Sequence, residues 1–352
     1  MNTWKIANVK YMDILQSQEL PGINSARTVY RFIRGVYRNI RAIKNHFLNL
    51  IDSPVIILVY HRVTDLPSDP ELLAVSPENF RLHMQFLKQQ FHILRFEEDW
   101  SHLKEPAVVV TFDDGYADNV CEALPILEEV GVPATFFVST GYLGTSKEFW
   151  WHRLEAMLLR DSEFPPSFIL DDPSYSRVWD TVTFEQRKAL YTTLSGLMLK
   201  ITPERREDWL NQLKKWNGTG DEGNNAHRSM SHEEIKRLAG SPWATIGAHT
   251  VTHSALSALS EEQQRQEIFT SKKDLEDTTG VEIMTFSYPS GRKIDYDRIS
   301  VRLCREAGFI KTAANFPGQV HRWTDPFQLP RHLVRNWDID TFTDQIKSFW
   351  TR

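Results

Sequence analysis

The sequence predicts an α/β fold, a parallel sheet or barrel in which strands alternate with helices along most of its 352 residues. Three observations carry this expectation. Six short apolar or β-prone runs, Val55–Tyr60, Ala107–Phe112, Ala134–Val138, Ala244–Ala248, Met284–Tyr288 and Lys311–Ala314, are separated by stretches of helical periodicity. The length, with 41% hydrophobic and 25% charged residues, fits one large core with an appendage and excludes a disordered or multi-span membrane chain. The rhythm breaks once, over residues 145–240, where a mostly helical pattern predicts an inserted subdomain.

In chain order, residues 1–52 form a separate N-terminal segment. Lys5, Lys10, Asp13 and Glu19 interrupt its first apolar positions, so no secretory signal is read there and a cytoplasmic location is expected. From Arg27 to Leu50, Val29, Phe32, Ile33, Val36, Ile40, Ile43 and Phe47 recur at helical spacing, with Arg27, Arg31, Arg34, Arg38, Arg41 and Lys44 on a separate stripe. This basic amphipathic helix has two uses open to it. Packing its apolar face on the neighbouring domain is preferred, as the commoner use; peripheral contact of 27–50 with an anionic membrane, at the inner face of the cell membrane, is the other. The longest nearly uncharged apolar run, Val55–Tyr60, is far short of a membrane span.

Residues 53–352 carry the alternating pattern. Helices are predicted at Pro77–Phe91, Asn119–Val130, Ser260–Thr279 and Arg298–Ala307, the third opened by a Ser260/Gln263 capping box and stopped at Gly280. Within the insert, helices are predicted at Trp150–Arg160, Phe184–Leu199, Glu204–Trp216 and Glu233–Leu238, the last behind a Ser231/Glu234 capping box. Trp150, Trp151, Trp179, Trp209 and Trp216 are read as core rather than as a sugar platform. Residues 218–225 form the most flexible loop by composition.

A formal charge of −5 lacks the positive field that general nucleic-acid binding needs, so no nucleic-acid partner is expected. The two cysteines, Cys121 and Cys304, are read as small core residues rather than as a disulfide.

Two separated constellations carry chemistry. Thr111-Phe112-Asp113-Asp114-Gly115-Tyr116 puts adjacent carboxylates where a buried strand runs into a glycine turn, which the turn can give different tasks; a turn pair is the plain alternative. His249-Thr250-Val251-Thr252-His253 follows the Ala244–Ala248 run, and histidines four apart present two imidazoles to one cation. Two imidazoles with one carboxylate leave coordination positions open, the arrangement of a catalytic metal.

TFDDG with a downstream HTxxH resembles the polysaccharide deacetylases, carbohydrate esterase family 4 or the NodB homology domain, over roughly residues 55–334. Phe286-Ser287-Tyr288-Pro289-Ser290-Gly291 is similar to that family's third motif. The resemblance implies a distorted (β/α)7-type barrel and metal-dependent removal of an N-acetyl group from a sugar of a polysaccharide or lipid-linked saccharide. It implies Asp114, His249 and His253 as metal ligands, with Zn²⁺ best suited and Co²⁺, Ni²⁺ or Fe²⁺ also accepted. Asp113 becomes the catalytic base, and the backbone of Ser290 helps hold the oxyanion. For the general acid, His332 is the conventional position, whereas Val59-Tyr60-His61-Arg62-Val63 resembles the circularly permuted biofilm-type enzymes, and His61 is preferred. An arginine that pairs with the base in relatives is replaced by Ser287; Arg292, Arg331 and Arg62 are the substitutes considered. An O-deacetylase, a cyclic-amide hydrolase and a non-catalytic saccharide binder are the alternatives.

Overall fold

Pro, Gly and acidic punctuation confine the apolar runs to strand length, and the runs pair as expected. The computed structural model describes residues 44–45, 47–218 and 225–350. Two compact units divide the chain, Met1–Ile51 with Thr351–Arg352, and Asp52–Trp350. Of the first, residues 44–45 and 47–51 are described and helical; the rest of the basic helix expected at 27–50 lies outside the described residues, as does most of the loop at 218–225.

The second unit contains strands β1 (Val55–Tyr60), β2 (Arg62–Val63), β3 (Ala74–Val75), β4 (His92–Leu94), β5 (Ala107–Phe112), β6 (Ala134–Val138), β7 (Ser167–Leu170), β8 (Arg177–Asp180), β9 (Ala244–Ala248), β10 (Thr285–Ser287), β11 (Lys311–Ala313) and β12 (His332–Leu333). A parallel sheet runs β11-β10-β9-β6-β5-β1-β12, with β4 also paired to β5. A parallel bridge from Ala313 to Leu329, just before β12, spans the seam between the two ends. This is the distorted barrel that the family resemblance implies, and it fits the parallel sheet or barrel expected from the alternating pattern.

Alternation along the strands gives the barrel two apolar faces. Val55, Ile57, Val109, Phe137, Ala313 and Leu329 belong to one buried cluster, inside the curl. Ile56, Leu58, Val108, Val110, Phe136 and Ile246 belong to another, which includes Phe80, Met84 and Leu87 of the helix Pro77–Gln90 outside it. The expected helices are present at Pro77–Gln90, Leu124–Val130, Glu261–Thr279 and Arg298–Glu306. Both predicted capping boxes form. Asn119–Ala123 is a π-turn whose inner face buries Asn119, Val120 and Ala123. Cys121 points the other way and is exposed, which corrects its reading as a core residue; Cys304 is buried.

The insert has its own core, built by Phe149, Trp151, Leu154, Leu190, Leu194 and Trp209 among others. Its helices are Trp150–Leu158, Phe184–Met198 and Pro203–Asn217, and the antiparallel β7–β8 hairpin is an element that the helical pattern concealed. The helix His232–Ala239, read from the sequence as the insert's last, instead buries Ile235 and Leu238 in the barrel's outer cluster.

One buried histidine outside the site links this packing to pH. His83 is fully buried, stacks on Phe342 at 3.8 Å and has Nε2 2.8 Å from the Trp337 carbonyl. Burial pushes its pKa down to about 4. The unfolded chain therefore takes this proton first as pH falls. The stability that neutral His83 contributes is complete above about 6.5 and is lost towards pH 4, amounting to roughly 3 kcal/mol. Urea unfolding across pH 4–6.5 should show a shallower slope for His83→Gln than for wild type; equal slopes would contradict the assignment.

Candidate active site

Strand alternation aims the predicted residues at one place. Along β5, Val109 faces the barrel interior, so Thr111 and Asp113 do too. Along β1, Ile57 faces inward, so Val59 and His61 follow. Tyr60 pairs with Phe112, which sets His61 beside Asp113 at the carboxyl ends of neighbouring strands. Asp114 would point outward by simple alternation, but it has φ 76°, and this left-handed turn brings its carboxylate to the same mouth. Gly115 follows at φ 90°, where an added Cβ would lie 2.8 Å from Val138 Cγ1, so only glycine fits the turn.

β9 lies one strand beyond β6 and delivers His249 from the other side. Asp114 Oδ1 stands 3.5 Å from His249 Nε2 and 3.1 Å from His253 Nε2. These atoms approach without hydrogen-bond geometry, leaving Asp114 Oδ1 buried and unpartnered. His249 Nδ1 is 2.7 Å from the Ser287 carbonyl, a contact in which Nδ1 carries the proton and Nε2 keeps its lone pair. A lone pair and a carboxylate oxygen converging without bonding one another fit a divalent ion, and the three residues bring their ligand atoms within 4.8 Å of each other. His152, Glu155 and His227 also cluster, but the two rings stack at 4.0 Å and 13°, so their in-plane lone pairs do not converge.

Asp113 is held differently. Arg331 donates from Nη1 to Oδ1 at 2.7 Å and from Nη2 to Oδ2 at 2.6 Å, and both side chains are buried. Arg331 also donates to the Ala314 carbonyl, Thr111 Oγ1 and Ser287 Oγ, while Ser287 Oγ donates to Asp113 Oδ2 at 3.3 Å. Burial would raise the Asp113 carboxyl; the Arg331 guanidinium outweighs it and holds the group below the ordinary carboxylate range. Of the three arginines considered from the sequence, Arg331 therefore pairs with Asp113. Arg292 is engaged bidentately by Asp295, and Arg62 donates to Asp118 Oδ2.

The two histidines proposed as acid separate. His61 lines a cavity of about 720 Å³ with Asp113, Asp114, His249 and His253. Its Nδ1 is buried without a hydrogen-bond partner. Burial lowers its pKa, against the opposing charges of Asp114 and Asp113. His332 pairs in register with Leu58, three residues before His61, which is about 10 Å down the strand. Its Nε2 lies 2.9 Å from the Gly318 carbonyl and its ring stacks on Phe349 at 3.9 Å. It reaches the cavity wall, away from the paired carboxylates.

Ser290 lines the same cavity and adopts φ 57°. Asp114, Thr250, His253 and Ser290 make four of the five non-glycine residues with left-handed backbone among those described. Such clustering accompanies functional sites. Sequence reading missed two contributors. Trp151, taken as core, packs its ring 4.8 Å from that of His253 and lines the cavity together with Trp150. Glu267 braces the histidine loop, and no sequence pattern singles it out from the other acids of its helix.

The family model described as polysaccharide deacetylase matches residues 101–164 and 213–310, leaving residues 165–212 within the insert between the two matched stretches. A curated relative, YxkH of Bacillus subtilis strain 168, provisionally named a polysaccharide deacetylase, is 21% identical over 286 residues, 79% of this chain and 70% of the relative. Among solved structures, the Streptococcus pyogenes deacetylase PplD in complex with acetate aligns with TM-score 0.54 at 18% identity, covering 83% of this chain and 98% of that one. IcaB from Ammonifex degensii aligns with TM-score 0.53 at 19% identity, covering 85% and 98%. The structural likenesses establish the barrel.

Proposed function

Because this chain belongs to the polysaccharide deacetylase family, we propose that it removes an N-acetyl group from an amino sugar of a polysaccharide or lipid-linked saccharide, with a divalent metal. The observation that carries this reading is the convergence of Asp114, His249 and His253 beside a second, separately paired carboxylate. A binding protein has no need of a base next to such a set. A divalent ion held by those three residues, with Zn²⁺ the best match to two imidazoles and a carboxylate, polarises the amide carbonyl and makes water more acidic.

The remaining work falls to the protein. Asp113, ionised against Arg331, accepts the proton of the attacking water. Arg331 keeps it oriented and limits its basicity, so the proton is taken only as the nucleophile forms. His61, inward-facing beside Asp113, in its protonated form delivers a proton to the leaving nitrogen. The strained turn at Ser290–Gly291, with φ of 57° and 63°, offers a backbone N–H towards the developing oxyanion. Trp150 and Trp151 give the sugar an apolar wall. The basic stripe at residues 27–50 supports a lipid-linked form of the substrate met at an anionic inner membrane face.

The test compares acetate release from N-acetylated and O-acetylated oligosaccharides before and after metal removal. Release from the N-acetylated substrate should vanish on chelation and return with added Zn²⁺ or Co²⁺. Full activity in metal-free protein, or release from O-acetyl groups alone, would sink the proposal.

A further inference from the structure

The loop bearing both imidazoles is gripped by a carboxylate that the chemistry above does not use. Residues 249–253 leave β9 and turn back sharply, with Thr250 at φ 65° and His253 at φ 51°. Each such conformation is disfavoured in a non-glycine residue and persists only when its surroundings enforce it. Some enforcement is local: Thr250 Oγ1 accepts from the His253 N–H at 3.1 Å, and the amides of Thr140 and Gly141 donate to the carbonyls of Thr250 and Val251. Gly141 is required there, since a Cβ would sit 2.6 Å from the Val251 oxygen.

The strongest grip comes from Glu267. It is buried, lies on the helix Glu261–Thr279, and directs its acceptors away from that helix. Its Oε2 accepts from the N–H of Val251 at 2.8 Å and of Thr252 at 2.9 Å, and its Oε1 accepts from Thr252 Oγ1 at 2.6 Å. A buried carboxylate is costly unless its oxygens are satisfied, and charge-assisted bonds to adjacent amides fix backbone direction more firmly than neutral ones. The two amides it fixes lie between His249 and His253. The network then reaches the insert: Thr252 Oγ1 is 2.8 Å from Ser254 Oγ, which accepts from Nη2 of buried Arg206 at 3.4 Å.

Resting on the metal reading above, we infer that Glu267 is a positioning residue of the metal centre, which holds the 249–253 loop in the shape that turns both imidazoles towards Asp114 before any ion binds. Arg206 extends the brace to the insert, tying that subdomain to the floor of the active site.

Zn²⁺ affinity measured by chelator competition on the full chain tests this, with Co²⁺ absorption reporting coordination geometry and Asp114→Ala as the reference for a broken site. Glu267→Ala should weaken Zn²⁺ binding about 10- to 100-fold and disturb the Co²⁺ spectrum. Turnover should largely return at saturating metal. Glu267→Gln should keep affinity within a few-fold, because one oxygen still accepts both amides and the amide nitrogen donates to Thr252 Oγ1. Should the alanine variant fail to fold, Glu267→Asp carries the test. Its shorter carboxylate reaches the two amides less well, so this variant should bind Zn²⁺ more weakly than the glutamine variant. Wild-type affinity in Glu267→Ala, or in Glu267→Asp where alanine does not fold, overturns the inference. Wild type binding no more tightly than Asp114→Ala overturns the metal reading itself, a distinct failure.

Discussion

Arg331→Met is expected to destabilise the protein by about 3–5 kcal/mol, because it leaves the Asp113 carboxylate buried without its cation. Asp113→Asn should cost a comparable amount for the mirror-image reason, stranding the guanidinium. The double variant, Asp113→Asn with Arg331→Met, should recover much of that loss, since a buried ion pair replaced by a well-packed neutral pair is often close to neutral. Activity should not recover. Without the base, turnover falls by about 10²–10⁴-fold in Asp113→Asn and in the double variant alike. Urea unfolding of the four proteins, alongside acetate release, separates the two effects. The sign of the pH dependence follows from the lowered Asp113 pKa: stability from the pair is complete at neutral pH and is lost as pH falls through the folded value. The Arg331→Met penalty should therefore shrink in acid, where a protonated Asp113 needs no partner. A neutral-pH penalty below about 1 kcal/mol would show that the pair is not the anchor described here.

His61→Ala should lower turnover by about 10²–10⁴-fold with little loss of stability, as expected for removal of a proton donor. His332→Ala should do the opposite. Its ring fills space against Phe349 and satisfies the Gly318 carbonyl, so removing it should cost roughly 1–3 kcal/mol of stability and change turnover only a few-fold in whatever protein remains folded. Measuring kcat at saturating metal for both variants, with thermal unfolding as the companion measurement, tests the assignment; near-full turnover in His61→Ala with loss in His332→Ala would reverse it.

Much of this was legible because the sequence signals were local. Val55–Tyr60, Ala107–Phe112, Ala134–Val138 and Ala244–Ala248 emerged at their predicted ends, since strands of a buried parallel sheet are nearly continuous apolar runs, interrupted here only by Thr111, Thr135 and Thr245. The carboxylates and histidines follow those ends directly. What stayed hidden depends on distant pairing. β12 is two residues long and exists because β1 offers it an edge, yet it delivers Arg331, which sits 218 residues from Asp113. Three arginines were equal candidates until the barrel closed. Glu267 lies in the run Glu261-Glu262-Gln263-Gln264-Arg265-Gln266-Glu267, which reads as a solvated helix face; burial against the histidine loop selects it. Cys121 erred through the same limit, as a π-turn shifts which side of a segment faces inward.

The left-handed backbone at Asp114, Thr250, His253 and Ser290 sums to several kcal/mol of disfavoured geometry, at about 1–3 kcal/mol each, against the 5–15 kcal/mol by which a typical domain outweighs its unfolded chain. The catalytic mouth is thus a guest of the shell around it, kept in shape by neighbours that gain nothing from the reaction. Loosening one of those neighbours is therefore expected to cost activity before it unfolds the sheet.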